Sequence, residues 1–299
     1  MVSKADTTKN PTGLDLYLEA AQRSSSVVIS AYSTSFGLAS KLLAPKIRRH
    51  VENIYALVRV ADEIVDGSAA EAKEKGGSIE PSRALDELER DVYRAFTDRF
   101  STNLVVHAFA HTANATGFGR DITQPFFDSM RMDLWKNRHD QKSFEKYVYG
   151  SAEVVGLMCL HAFLEDVKVS QGDRKKMVAG ARALGAAFQK VNFLRDLSAD
   201  ARGLGRSYFP GIYPERFTEE QKLALVADID ADLAISKASI PLLPRGAKRA
   251  VIAAHELFAE LNRRIGNTPA EQVINTRISV PNFSKLIILV RAWLGISPK

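Results

Sequence analysis

Apolar residues recur at helical spacing along almost all of the 299 residues, and alternating, strand-type runs are scarce. That periodicity confines the chain to an all-α architecture. It predicts helices near residues 14–24, 26–43, 47–66, 82–98, 102–116, 123–136, 143–165, 173–200, 219–241, 245–266 and 270–296. Ser82, after Pro81, can cap one start, and Thr218 with Gln221 has the spacing of a capping box. Pro281 should bend or split the last stretch. No Pro/Gly-rich linker separates halves of different pattern, so a single domain over 1–299 is expected, with 1–25 as an N-terminal extension. Two stretches read as irregular. Residues 67–81 are small, charged and Gly-containing, as in a mobile loop. Residues 201–217 combine glycines and prolines with arginines and aromatics, as in a lid-like loop beside a site.

Composition narrows the function classes. With 45% hydrophobic and 25% charged residues, the chain has an ordinary soluble composition. The formal charge of +6 is spread widely, with one short cluster at Lys46, Arg48 and Arg49. No basic tail or nucleic-acid motif is present, so no nucleic-acid partner is expected. The excess suits a polyanionic small substrate or an anionic membrane surface. The one cysteine, Cys159, lies in an apolar run and reads as a core residue in a reducing compartment. No apolar signal core marks residues 1–26, and the most apolar run, Phe283 to Ile296, is too short to span a bilayer. A cytoplasmic chain with at most peripheral membrane contact is expected. Its oligomeric state is not readable from these features.

Two acidic clusters carry the chemistry. The first is DEIVD, Asp62 to Asp66. The second is QKVNFLRDLSAD, Gln189 to Asp200. Residues four apart share a helix face, so Asp62 and Asp66 form one row and Asn192, Asp196 and Asp200 another. The second helix is apolar nearly all round, which points its polar row at an interior cavity. Facing rows of oxygen ligands would hold Mg²⁺ for a diphosphate. A solvated helix face is the competing reading.

Arginines near these rows have the fork geometry that binds phosphate oxygens. Tyr55, Arg59, Asp62 and Asp66 lie on one face, although Arg59 could simply pair with Asp62. Gln189 and Arg195 border the second row. Arg206 and Tyr208 follow in GRSYFP, where a phosphate contact and a solvated loop are evenly balanced; Arg202 reads as solvated. In YSTSF, Ser33 and Ser35 could contact a diphosphate and Phe36 line an apolar tunnel, or the hydroxyls could serve as local caps. YVYGSAEVVG could offer Tyr147 as a π face to a carbocation, or could be plain core packing. His107 and His111 lack the Glu and the third ligand that a zinc site needs.

Together these segments resemble the squalene/phytoene synthase family of head-to-head prenyl transferases. The likeness runs from about Ser33 to Lys285 through YSTSF, IYALVRVADEIVD, YVYGSAEVVG, QKVNFLRDLSAD, GRSYFP and RISVPNFSK. It implies an isoprenoid synthase fold with helices around a central active-site cavity. It implies that Asp62, Asp66, Asn192, Asp196 and Asp200 hold two or three Mg²⁺ ions, with Mn²⁺ as a substitute. Ser33, Ser35, Arg59, Gln189, Arg195, Arg206 and Arg277 would contact diphosphates. Phe36, Tyr55, Tyr147, Val155 and Gly156 would line the prenyl tunnel, with Tyr208 beside Arg206. Ala199 stands where relatives carry an acidic residue, so one outer carboxylate is missing. DEIVD is most like the first motif of phytoene synthases. The expected reaction joins two geranylgeranyl diphosphates to phytoene without NADPH. The alternatives are a dehydrosqualene or squalene synthase using farnesyl diphosphate, and a non-catalytic helical scaffold.

Overall fold

The computed structural model describes residues 12–33, 35–199 and 206–296, apart from the side chains of Ser35 and Phe36. Helices α1 (Gly13–Tyr32), α2 (Ser35–Ser40), α3 (Pro45–Val65), α4 (Ser68–Glu74), α5 (Pro81–Asp98), α6 (Leu104–Thr116) and α7 (Arg120–Asp133) form the first half. Then come α8 (Gln141–Val148), α9 (Val154–Phe163), α10 (Gln171–Ala199), α11 (Glu219–Ser239), α12 (Arg245–Gly266), α13 (Ala270–Val273) and α14 (Asn282–Trp293). Among the described residues there is no strand, only an isolated bridge between Arg138 and Ser207. The all-α expectation is met.

Several boundaries differ from the periodicity reading, each for a local reason. α1 runs unbroken through the serine run because Ser24, Ser25 and Ser26 return their hydroxyls to carbonyls one turn back. The chain breaks instead at Ser33, whose backbone is extended. Residues 68–74, expected within a loop, form helix α4, whose Ala69 is buried. The stretch read as one helix over 143–165 is divided by a π-turn, Tyr149–Glu153. Such turns insert a residue and re-aim side chains. Gly150 makes this one possible, since a Cβ there would lie 2.1 Å from the Pro125 carbonyl oxygen. The last predicted helix is split at Pro281, which precedes α14 directly.

Two large apolar clusters fill the interior. One joins α3, α5, α6, α7 and α9 around Leu57, Phe109, Phe126 and Met158. The other joins α8, α10, α11 and α12 to the 206–217 segment around Tyr147, Leu194, Tyr208 and Ile229. That segment is packed rather than loose. Arg206, Ser207, Tyr208 and Phe209 are buried, and the Ser207 amide donates to the Asn137 carbonyl at 2.8 Å.

Candidate active site

A cavity of about 350 Å³ opens where the two clusters meet. α3 contributes Arg59, Asp62 and Asp66; α10 contributes Gln189, Asn192, Arg195 and Asp196. α3 can present this row because its opposite face, with Ile54, Leu57, Ala61 and Val65, is locked into the core. α10 does the same with Ala187, Val191, Leu194 and Leu197. The two acidic rows, 126 or more residues apart in sequence, therefore line one chamber. Val58, Met130, Ser151, Phe193, Tyr147 and Tyr208 complete its wall.

The aromatic side of this wall is tightly built. Phe193 stacks on Tyr208 with ring centroids 3.9 Å apart, and Tyr147 leans on both. The Tyr147 hydroxyl donates to Asp133 Oδ2 at 2.7 Å. Arg206 donates to Asp66, to the Tyr208 hydroxyl oxygen and to the Asp133 backbone carbonyl. Arg206 thus ties the 206–217 segment to the end of α3 and the end of α7. Its role is a buried bonded one; the solvated-loop reading does not hold.

The electrostatics are strained toward protonation. Burial, opposed by Arg59 and reinforced by Asp66, pushes the Asp62 carboxyl up to about 7. Asp62 lines the cavity. Burial also raises Asp66, against the pull of Arg206. Burial and the nearby Asp66 push Asp133 up to about 8. Tyr147 is raised well above an ordinary phenol by burial and by Asp133. Carboxylates held in this way are good partners for a cation, which would offset their desolvation and mutual repulsion. Among the described residues no three His, Cys, Asp or Glu side chains enclose a single metal point. The donors instead spread around the cavity, and Asp200 lies outside the described residues.

The predicted positive groups are present, mostly tied to neighbours. Arg59 pairs with Glu63 rather than Asp62, lies 4.4 Å above the Tyr32 ring, and has a buried Nε with no hydrogen-bond partner. Arg195 chelates Asp196, and Arg277 reaches the same carboxylate at 3.1 Å. Tyr55 is raised by burial and eased by a hydrogen bond with Ser33. Val155 packs beside the first cluster, and Gly156 touches α10, where a Cβ would stand 2.3 Å from the Ala181 carbonyl oxygen. Neither is on the wall of this cavity. Ser35 and Phe36 fall in α2, with side chains outside the described set, as is the whole of Arg202. His111 stacks on His50 and His107 packs edge-on against Tyr17, consistent with ordinary packing.

Asp133 was missed by sequence reasoning. It stands alone, without a second acid at helical spacing to flag it. The available signal was its setting in SMRMDLW, a carboxylate among large apolar residues near a helix end. Ser151 was also missed; the π-turn that brings it to the cavity has no obvious mark in the sequence.

A sequence profile described as squalene/phytoene synthase matches residues 29–284. Phytoene synthase 2, chloroplastic, from Solanum lycopersicum is 36% identical over 67% of this chain and 61% of its own length. Phytoene synthase 3, chloroplastic, from Zea mays is 34% identical over 74% of this chain and 48% of its own. The matched stretch thus spans between about half and three-fifths of these relatives. A crystal structure of a dehydrosqualene synthase in complex with ligand superposes with a TM-score of 0.74, covering 94% of this chain and 98% of that one at 20% identity. Squalene synthase HpnC from Alicyclobacillus acidocaldarius gives 0.70, covering 85% and 97% at 19% identity. These two show a shared isoprenoid synthase fold. The chain belongs to the squalene/phytoene synthase family, a family of prenyl transferases.

Proposed function

We propose that this protein is a Mg²⁺-dependent phytoene synthase acting in carotenoid biosynthesis, joining two geranylgeranyl diphosphates head to head through prephytoene diphosphate. The observation that carries this reading is the meeting of Asp62 and Asp66 with Asn192 and Asp196 in one aromatic-walled cavity. The names of the curated relatives favour phytoene over squalene-type products. The whole chain acts as one domain in this reading, since α3, α7, α8 and α10 build the cavity jointly.

Asp62, Asp66, Asn192, Asp196 and Asp200 are the groups that would hold the ions. Bound Mg²⁺ supplies charge neutralisation to a departing diphosphate. Arg59, with its unpartnered Nε, Gln189 and Arg195 bind diphosphate oxygens and orient them. Arg277 holds Asp196 from outside the helix, and Arg206 holds the wall closed behind Asp66. The allylic C–O bond of the donor breaks, and its electron pair leaves with the diphosphate. The acceptor double bond attacks the cation, and proton loss closes a cyclopropane. A second ionisation, rearrangement and proton loss give the conjugated triene. Phe193, Tyr147 and Tyr208 keep water from both cations and offer them π faces. Tyr147 already donates its proton to Asp133 and is raised far above neutrality, so it positions rather than abstracts. A diphosphate oxygen takes the proton. The product is too apolar to leave into water, so release involves peripheral contact with a membrane.

Incubation of the purified protein with geranylgeranyl or farnesyl diphosphate, with and without Mg²⁺ and NADPH, tests the reading. Phytoene from the longer substrate, with Mg²⁺ and without NADPH, is the expected product. Squalene or dehydrosqualene from the shorter substrate alone would transfer the assignment to that activity. No condensation product from either would remove it.

A further inference from the structure

The exposed apolar surface of the molecule is concentrated on one helix. In α14, Ile288 and Ala292 are buried, and Ala292 shares a cluster with Ile252, Ala253 and Ala254 of α12. The other face carries Phe283, Leu286, Ile287, Val290 and Trp293, all exposed, with Phe283 at 74% and Trp293 at 58%. Steps of three, one, three and three residues place them in a single stripe. Burial cannot account for that stripe: nothing within the chain covers it among the described residues.

The surroundings of the stripe have a one-sided charge. α14 runs antiparallel to α12, with Arg264 near Ser284 at one end and Ala292 near Ile252 at the other. α2 packs on α12 through Ala39 in the same cluster, and the Ala44 amide donates to Gly246 where α3 begins. Three segments therefore converge on this side: residues 35–51, 240–255 and 277–296. They contain ten Lys and Arg, of which Lys46 and Arg49 turn toward α1 and line a second cavity with Asp15, Glu19 and Glu165. Lys46, Arg48 and Arg277 have carboxylate partners from outside these segments. Lys41, Arg245 and Arg249 are exposed and Arg291 flanks the stripe, and none of the four forms an ion pair among the described residues. An apolar stripe bordered by unpaired cations fits an anionic lipid surface better than a protein patch. The same cluster includes Leu42, Phe188 and Leu289, and Phe188 precedes Gln189 of the cavity wall. Apolar contacts thus run from the cavity toward this face.

We propose that α14 and the unpaired cations beside it form the docking site for an anionic bilayer, with α14 lying in the interface plane and its stripe among the acyl chains. The proposal takes from the synthase reading only the apolar nature of the cargo. The test uses the full chain and vesicles of phosphatidylcholine, alone or mixed with phosphatidylglycerol. Flotation should show binding to the mixed vesicles, weakened by salt. In a Trp135→Phe background, Trp293 emission should shift to the blue on binding. Leu286→Glu with Val290→Glu, on an already exposed face, should lower partitioning by about tenfold or more with unchanged circular dichroism. Arg249→Gln and Arg291→Gln should each lower it about fivefold, with the stripe intact. Turnover of detergent-dispersed prenyl diphosphate should survive in all of these, so a failed synthase and a failed docking site give different results. Absence of binding to anionic vesicles, or equal binding by the Glu/Glu variant, would overturn the proposal. So would conversion of a dimer to a monomer by that variant with vesicle binding unaltered, which would show a second copy on the stripe.

Discussion

Asp62 and Asp66 stand one helical turn apart, yet they answer to different neighbours. Asp66 anchors the Arg206 guanidinium. The Asp62 carboxylate makes no hydrogen bond among the described residues and is pushed up to about 7 by burial. Their variants should therefore separate stability from chemistry. Asp62→Asn removes a carboxylate that the fold disfavours, so chemical denaturation at pH 8 should show equal or higher stability. Turnover should still fall by at least about 10²-fold, because an electrostatic group facing the leaving diphosphate is gone. Asp66→Ala should lose turnover and also about 1–3 kcal/mol of stability, since Arg206 keeps its burial but loses its anion. Turnover surviving in both variants would contradict the proposed chemistry. Asp133 offers a cleaner reading of pH. Its folded pKa of about 8 lies above the roughly 3.9 of an unfolded Asp. The folded chain then holds the extra proton, and stability through this group declines as pH rises from about 4 to about 8. Asp133→Asn keeps an acceptor for Tyr147 and abolishes that decline, so its unfolding free energy should depend less on pH in this window than the parent's.

At the level of elements, the site depends on two helices coming unusually close to their neighbours. Gly156 and Gly185 sit where α9, the π-turn and α10 touch: a Cβ at Gly185 would be 2.4 Å from the Ala152 carbonyl oxygen. Gly185→Ala must push α10 away from the π-turn. It should cost about 1–3 kcal/mol in denaturant unfolding and depress turnover, since Gln189 and Asn192 ride on the same helix. Unchanged stability would mean that the approach is looser than the geometry here. The acidic rows were legible because helical periodicity is a strong signal and places Asp62 with Asp66, and Asn192 with Asp196, without knowledge of the fold. What remained hidden depends on tertiary contact. Nothing local announces that Asp133 meets Tyr147, or that Glu63 rather than Asp62 takes Arg59. The serine run in α1 misled through propensity: its hydroxyls are satisfied within the helix and do not end it. The π-turn was invisible because its five residues are ordinary helix formers apart from Gly150, whose role is set by Pro125 across the interface.

Across the whole molecule, two apolar clusters from different parts of the chain meet at one polar chamber, and each brings carboxylates to it. The fold therefore gathers carboxylates in a partly buried chamber, a cost that cations and a polyanion taken up together would offset. Protons are the competitor. Asp62, raised to about 7, is largely protonated at pH 6 and largely ionised at pH 8. Ligation requires the ionised form, so apparent affinity for Mg²⁺ with inorganic diphosphate should rise across that interval. The readout need not be catalytic. Ligand present at a hundredfold excess over its dissociation constant adds about 2.7 kcal/mol to the folded state. For a chain of this size that is a rise of roughly 5 °C in the unfolding midpoint. Differential scanning fluorimetry at pH 8 should show such a rise with Mg²⁺ and diphosphate together, and a smaller one at pH 6 under the same concentrations. Asp62→Asn with Asp196→Asn should suppress the rise at both. An equal rise at the two pH values, or one preserved in the double variant, would mean that the ions bind somewhere other than between α3 and α10.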